Sequence, residues 1–255
     1  MYLIIYDIII NIVLMEEEVL KKILGQIRAA VDRYNLIDEG DKIAIGVSGG
    51  KDSLVLLEAL NRLKEFYDKK FQIVALILDP QFNGVKTDFS LVEERMKNLN
   101  IDYEINRSLL GEIIFKERKE KNPCSLCAKM RRGILHNMSK SHGCNKIALG
   151  HHYDDAVQTF FMNLFNSGRI GCFSPKSYLS RKDIWIIRPM IFCRERDILS
   201  FANRNRMPVV KSLCPADGVT SRKKTEDLIK NLEKTYPDLR SKVIGALQRR
   251  GIDNW

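Results

Sequence analysis

An α/β fold built on a parallel sheet is what the sequence predicts, and three observations predict it. First, the β-branched run at residues 42–47 leads through Ser48-Gly49-Gly50-Lys51-Asp52-Ser53 into an apolar-periodic stretch at 54–60. That order reads as a buried strand, a glycine turn and the start of a helix. Second, further short apolar runs at 71–78, 103–105, 146–150 and 184–187 alternate with helical patterns, as βαβ units do. Third, a chain of 255 residues can bury one such core with extensions or a small appendage.

Taken in order, residues 1–15 are nearly all apolar but carry Asp7 and Asn11. They are too short to span a bilayer and lack the basic start of a signal peptide. They read as a β-like arm, or as sequence upstream of a start at Met15. Residues 16–34 are expected to form an amphipathic helix, with Val19, Leu20, Ile23, Leu24, Ile27, Ala30, Val31 and Tyr34 on its apolar stripe. Glu16, Glu17 and Glu18 suit its N-terminus.

At Ser48–Ser53 the strand-turn-helix geometry offers backbone N–H groups and a helix start to an anion. Gly49 and Gly50 let the chain approach phosphate oxygens closely. Ser48 and Ser53 add hydroxyls, Lys51 a positive charge and Asp52 a contact for magnesium. The spacing is not that of the common mononucleotide loop, which needs four residues between its first glycine and the Gly-Lys pair. Parallel sheets bind ligands at the carboxyl ends of their strands. Asp79, at the end of the 71–78 run, is a second candidate there.

Residues 88–98 read as helix and 116–122 as a charged loop. Pro123-Cys124-Ser125-Leu126-Cys127 opens a basic helix, a setting expected to lower thiol pKa. The pair alone fits half a zinc ribbon, a redox couple or two cluster ligands. A zinc ribbon needs a second C-x-x-C, which the sequence lacks, and a redox couple needs a thioredoxin-like context. The run at 146–150 ends at Gly150-His151-His152-Tyr153-Asp154-Asp155, where two carboxylates at a strand tip suit magnesium on a triphosphate. A plain helix cap by Asp would look similar. Residues 156–165 read as a buried helix, 166–183 as a loop, 194–205 as a helix and 221–250 as basic helices.

Lys plus Arg number 42 against 32 Asp plus Glu, a net charge of +10. That excess favours a polyanionic partner, with nucleic acid ahead of a membrane surface. Six cysteines without a secretion signal fit a reducing, cytoplasmic setting. No repeat or low-complexity segment interrupts the chain.

Four motifs in series then carry a resemblance: S-G-G-K-D-S, C-S-L-C-x-x-x-R-R-G-I-L, A-L-G-H-H-x-D-D-x-x-x-T-x-x-x-N and R-P-x-x-x-C-R-E-x-D-I. The chain resembles the tRNA 2-thiocytidine synthetase (TtcA) branch of the PP-loop ATP pyrophosphatases. The resemblance runs from about residue 42 into the C-terminal region. It implies a Rossmann-like PP-loop domain over 41–215, an N-terminal arm and helix over 1–40, and a basic helical segment over 216–255. It implies ATP and Mg²⁺ bound by Ser48, Gly49, Gly50, Lys51, Asp52, Ser53, Asp79, Gly150 and Asp155. It implies a 4Fe–4S cluster on Cys124, Cys127 and Cys214, with Lys51, Asp52, Arg131 and Asp155 catalytic. One departure is that Cys214 lacks the second cysteine that usually precedes it. Another is Pro80 in the turn after Asp79. Cys144, Cys172 and Cys193 are expected to be structural thiols.

The reaction implied is ATP-dependent replacement of the C2 oxygen of an anticodon-loop cytidine, at position 32, by sulfur. Partners implied are tRNA and a sulfur donor, either a cysteine desulfurase or free sulfide, with a homodimer as an option and no membrane. Lys129, Arg131 and Arg132 are expected to join Arg222, Lys223 and Lys224 on one RNA-facing surface beside the cluster. Two related readings compete: a uridine 2-thiolase, whose relatives carry paired zinc-binding cysteines absent here, and tRNA lysidine synthetase, which needs no cysteine triad. A non-enzymatic RNA binder with a degenerate nucleotide site fits the charge but not the intact motifs.

Overall fold

The structure is a computed structural model, described here for residues 2–118, 123–215 and 221–255, with side chains from Glu18 onward except Ser221. Its sheet has six strands in the order β3-β2-β1-β4-β6-β5. These are β1 (Lys42–Val47), β2 (Gln72–Asp79), β3 (Asp102–Arg107), β4 (Lys146–Ala148), β5 (Lys176–Leu179) and β6 (Ile184–Ile187). All pairings are parallel except β5 with β6. The sequence reading missed β5, which lies inside the stretch expected to be loop. It is a short hairpin partner with no buried alternation of its own, and pairing with β6 makes it a strand.

The strand order reverses between β1 and β4, so a crevice opens where their carboxyl ends diverge. Helix α1 (Tyr2–Tyr34) is continuous from the apolar start. The β-like arm expected for residues 1–15 is therefore helical instead, because its apolar run simply extends the helix of 16–34. Ile23, Ile27, Ala30 and Val31 of α1 are fully buried, against α2 (Lys51–Phe66) and α7 (Glu195–Arg204).

Alternation along β1 splits the core into two layers. Ile43, Ile45 and Val47 face α1, α2, α6 (Tyr153–Ser167) and α7, whereas Ala44 faces α5 (Pro123–Ser141). Lys146 lies buried at the opposite end of β4, its Nζ 2.6 Å from Asp41 and 2.7 Å from Asp38. Buried lysine is tolerated when so paired. Helix α3 (Ser90–Asn98) matches the expected helix at 88–98, and α8 (Ser221–Thr235) and α9 (Leu239–Arg250) match the basic C-terminal helices. Of the charged loop expected at 116–122, Lys116 and Glu117 end a π-helical turn, while residues 119–122 lie outside the described residues.

Candidate active site

Two loops meet at the crevice: residues 48–50, after β1, and 149–152, after β4. Glycine is required at 49 twice over. Its φ is +82°, and a Cβ there would come within 3.0 Å of Val210 and 3.1 Å of Phe89. Ser53 Oγ accepts from the Ser48 amide at 3.1 Å and donates to the Gly50 carbonyl at 2.9 Å. The Gly50 amide in turn donates to Ser48 Oγ at 3.3 Å, so the two serines hold the loop's own shape at the start of α2. A Cβ at Gly150 would meet the backbone of Asp52 and Ser53 at 3.1–3.2 Å. Gly150 therefore lets the β4 tip press against the start of α2.

Lys51, Asp52, His152, Asp155, Glu195 and Arg222 converge on one cavity of about 420 Å³. Lys51 Nζ lies 2.8 Å from Asp52 and 3.1 Å from Glu195. Burial pulls the Lys51 pKa down, but the two carboxylates outweigh it and hold the ammonium above its ordinary value. Glu195 is likewise pushed up by burial and brought below the ordinary range by Lys51. Asp155 Oδ2 accepts from the His152 amide at 3.0 Å, as a helix cap. Its Oδ1 accepts from Arg222 Nη1 at 3.0 Å. The capping role expected of a carboxylate here is present, and the same carboxylate also pairs with Arg222, a contact the sequence did not suggest.

Sequence reasoning missed Glu195, although it stands in the R-E motif after β6. It also missed Arg240, whose guanidinium reaches Asp154 (3.0 Å), Glu226 (2.9 Å) and Glu233 (3.0 Å). The Asp154 carboxylate in turn accepts from the Glu195 amide at 2.7 Å. No local pattern marks a residue that acts across three helices. His151 is partly buried, its ring centroid 5.0 Å from that of Phe173.

Two expectations need correction. Asp79 was expected to face nucleotide, but its carboxylate is fully buried. It accepts from the Gln81 and Thr87 amides, the Thr87 hydroxyl and Arg107, all between 2.8 and 3.1 Å. Four donors turn it inward, where it braces the loop after Pro80. Arg222 and Lys223 were expected beside the cysteines, yet both line the cavity of Lys51 and Asp155. Helix α8 docks on α6, and that packing carries its first turn to the nucleotide side.

The three motif cysteines lie together. Cys127 and Cys214 share an apolar cluster with Leu78, Phe82, Leu110 and Ile114. Cys124 and Arg131 are close enough to Cys127 to act on its titration. The expected lowering of thiol pKa is overturned at Cys127, because burial outweighs the Arg131 guanidinium and raises it. Among the described residues no three His, Cys, Asp or Glu side chains close around a point suited to a single metal ion. Cys127 is buried, Cys214 partly buried and Cys124 exposed, and three thiols grouped beside Arg131 are the soft donor set that an iron–sulfur cluster takes. Cys144, Cys172 and Cys193 are buried as expected. Burial pushes Cys172 up to about 12, and Cys193 higher still.

Comparison with known proteins agrees with this geometry. Residues 17–213 match the PP-loop domain family. The tRNA-cytidine(32) 2-sulfurtransferase of Geobacter metallireducens is 35% identical over 236 residues, covering 91% of each chain. That of Pelobacter propionicus is 37% identical over 221 residues, covering 86% of this chain and 81% of its own. Among solved structures, the U34-tRNA thiolase of Methanococcus maripaludis with its 4Fe-4S cluster superposes with a TM-score of 0.75 at 26% identity, over 92% of this chain and 79% of that one. On the family match over most of its length and on identities above 30% across more than four-fifths of each chain, this protein belongs to the PP-loop domain family, among the tRNA-cytidine(32) 2-sulfurtransferases.

Proposed function

We propose that the protein uses ATP to replace the C2 oxygen of cytidine 32 in tRNA with sulfur. The observation that carries this reading is a bridge made by one segment. Val210 donates its amide to the Gly49 carbonyl at 2.9 Å, and four residues later Cys214 packs with Cys127. The phosphate-binding loop and the cysteine pocket are thereby held side by side, as two consecutive steps on one base require.

The C2 oxygen is a poor leaving group. It attacks the α-phosphorus of ATP, pyrophosphate departs, and the base carries AMP on that oxygen. The α2 N-terminus and Lys51 are placed to bind the pyrophosphate charge. Asp52 and Asp155 are the carboxylates that would hold Mg²⁺. A sulfur nucleophile then attacks C2, and the oxygen leaves within AMP. A 4Fe–4S cluster on Cys124, Cys127 and Cys214 would supply that sulfur. Arg131 places a positive charge beside the thiols. The sulfur originates from a cysteine desulfurase or free sulfide, in a reducing compartment such as the cytoplasm. Residues 41–215 form the catalytic domain in this reading, α1 braces it through α2 and α7, and α8 lines the nucleotide pocket. A second copy of the chain enters no step. Among the described residues no helix is long and apolar enough to cross a membrane.

The test is anaerobic purification followed by iron analysis and mass spectrometry of nucleosides from treated tRNA. We expect about four irons per chain and 2-thiocytidine. Cys124→Ala, Cys127→Ala and Cys214→Ala should lose both while still binding ATP, whereas Cys144→Ala and Cys172→Ala keep both. Thiolated uridine in place of cytidine would move the protein to the uridine branch.

A further inference from the structure

Beside the cysteine pocket, a crevice of about 390 Å³ separates α5 from β4, β5 and β6. Cavities of this size hold small molecules. Its floor is aliphatic, made by Ile147, Leu149, Leu179 and Ile186, and cations from Lys129, Arg132 and Arg188 stand around it. No Asp or Glu lines it among the described residues. Lys129, Arg132, Gly133 and His136 recur at helical spacing and so form one face of α5. Cys127 and Ile134 pack on the neighbouring face of the same helix, toward the cysteine pocket. Crevice and cysteine pocket are therefore back to back across α5.

Two features of the crevice have no internal explanation. Arg188 is partly buried, its guanidinium 5.0 Å over the Phe173 ring and its Nη1 2.5 Å from the Ser174 carbonyl. Its Nε is buried without a hydrogen-bond partner, and no carboxylate pairs with it among the described residues. A cation withdrawn from water without a counter-charge is unfavourable unless an anion completes the site. Gly133 stands mid-helix, and a Cβ there would meet nothing within 4 Å. Glycine inside a helix is destabilising relative to alanine, and no steric contact requires it here. Its effect is to keep the wall of the crevice flat and open.

We propose that this crevice seats one nucleotide of the RNA substrate, next to the base that reacts. An aliphatic floor suits a flat, uncharged base, and Arg188 with Arg132 suits the attached phosphate. A base lifted from its stack gains by covering such a floor. A free nucleotide has the same chemistry. Exposed Lys129 and Arg132 extend the positive charge beyond the crevice, which suits a continuing phosphate chain. The inference rests on RNA being the substrate.

The test is tRNA binding by filter retention at several salt concentrations, with ATP binding by the free protein as folding control. Gly133→Leu places a side chain in the crevice and should lower tRNA affinity about tenfold or more, with a melting temperature no lower than wild type. Arg132→Gln, on the exposed rim, should lower both affinity and salt slope. Wild-type affinity in Gly133→Leu, or unchanged affinity and slope in Arg132→Gln, would overturn the proposal while leaving the sulfurtransferase reading intact. Cytidine 5′-monophosphate binding lost in Gly133→Leu with tRNA affinity retained would assign the crevice to free nucleotide and overturn it too. Failure of the wild-type protein to bind any tRNA would overturn both.

Discussion

Arg222, at the first turn of α8, donates from Nη1 to Oδ1 of Asp155 across 3.0 Å. This pair joins the C-terminal helix to the β4 tip, and it sits in the cavity that Lys51 and Asp52 share. Only residues 215–221 separate Arg222 from Cys214 in sequence, so one short stretch links the cysteines to the cavity of Lys51 and Asp155. A phosphate entering this cavity meets the same guanidinium that now holds Asp155.

Arg222→Ala should therefore weaken ATP binding by the protein without tRNA. A charge-assisted hydrogen bond is worth roughly 1.5–3 kcal/mol, and the half-exposed guanidinium takes the lower part of that range. Isothermal calorimetry should show an affinity loss of about tenfold. Unchanged affinity would confine Arg222 to docking α8.

Gly150→Ala tests the contact between the two loops. Its Cβ would fall 3.1 Å from the Asp52 backbone, so the strand tip or the helix start must shift by a few tenths of an ångström. Overpacking of this kind costs about 1–3 kcal/mol. The expected outcome is a folded protein with a lower urea midpoint and impaired pyrophosphate release. A variant equal to wild type in both would show that the β4 tip can shift freely.

Arg240→Met removes the centre of a four-residue network while keeping much of the side-chain bulk. Arg240 is 12% exposed and contacts three carboxylates. Breaking a buried ion pair by deleting one partner costs about 3–5 kcal/mol. Chemical denaturation should report a loss near the lower bound, because Glu233 can turn toward water. A change within 0.5 kcal/mol, about the scatter of neutral surface substitutions, would mean that α8 and α9 are held by apolar packing alone.

His151 should make stability sensitive to acid. Burial first, then Arg188, Arg222 and His152, lower its pKa to about 3, whereas an unfolded histidine titrates near 6.5. The unfolded chain takes up this proton first as pH falls. Stability is complete above about pH 6.5 and declines as pH drops toward 3. Between pH 7 and 5 the loss from this residue is on the order of 2 kcal/mol. Urea melts at both pH values should show that His151→Phe declines less than wild type by roughly that amount. Equal declines would place the acid sensitivity elsewhere.

Periodicity and local chemistry alone placed the parallel sheet, the glycine loop and the helix at its end. Ile43, Ile45 and Val47 alternate because one strand has two faces, and Gly49 sits where only glycine adopts the backbone; both are local requirements written into neighbouring residues. The cysteine triad was legible only through its resemblance to a family. Nothing in the spacing of Cys127 and Cys214 says that they meet. Tertiary structure alone decided which charges act together. Asp79 looked like a ligand at a strand end, yet the returning loop supplied four donors and turned it inward. Arg222 looked like part of an RNA-binding run, yet the docking of α8 on α6 brought it to Asp155. Hydrogen bonds and ion pairs between residues far apart in sequence depend on how helices pack. Packing is set by the whole core, so no short window of sequence contains it.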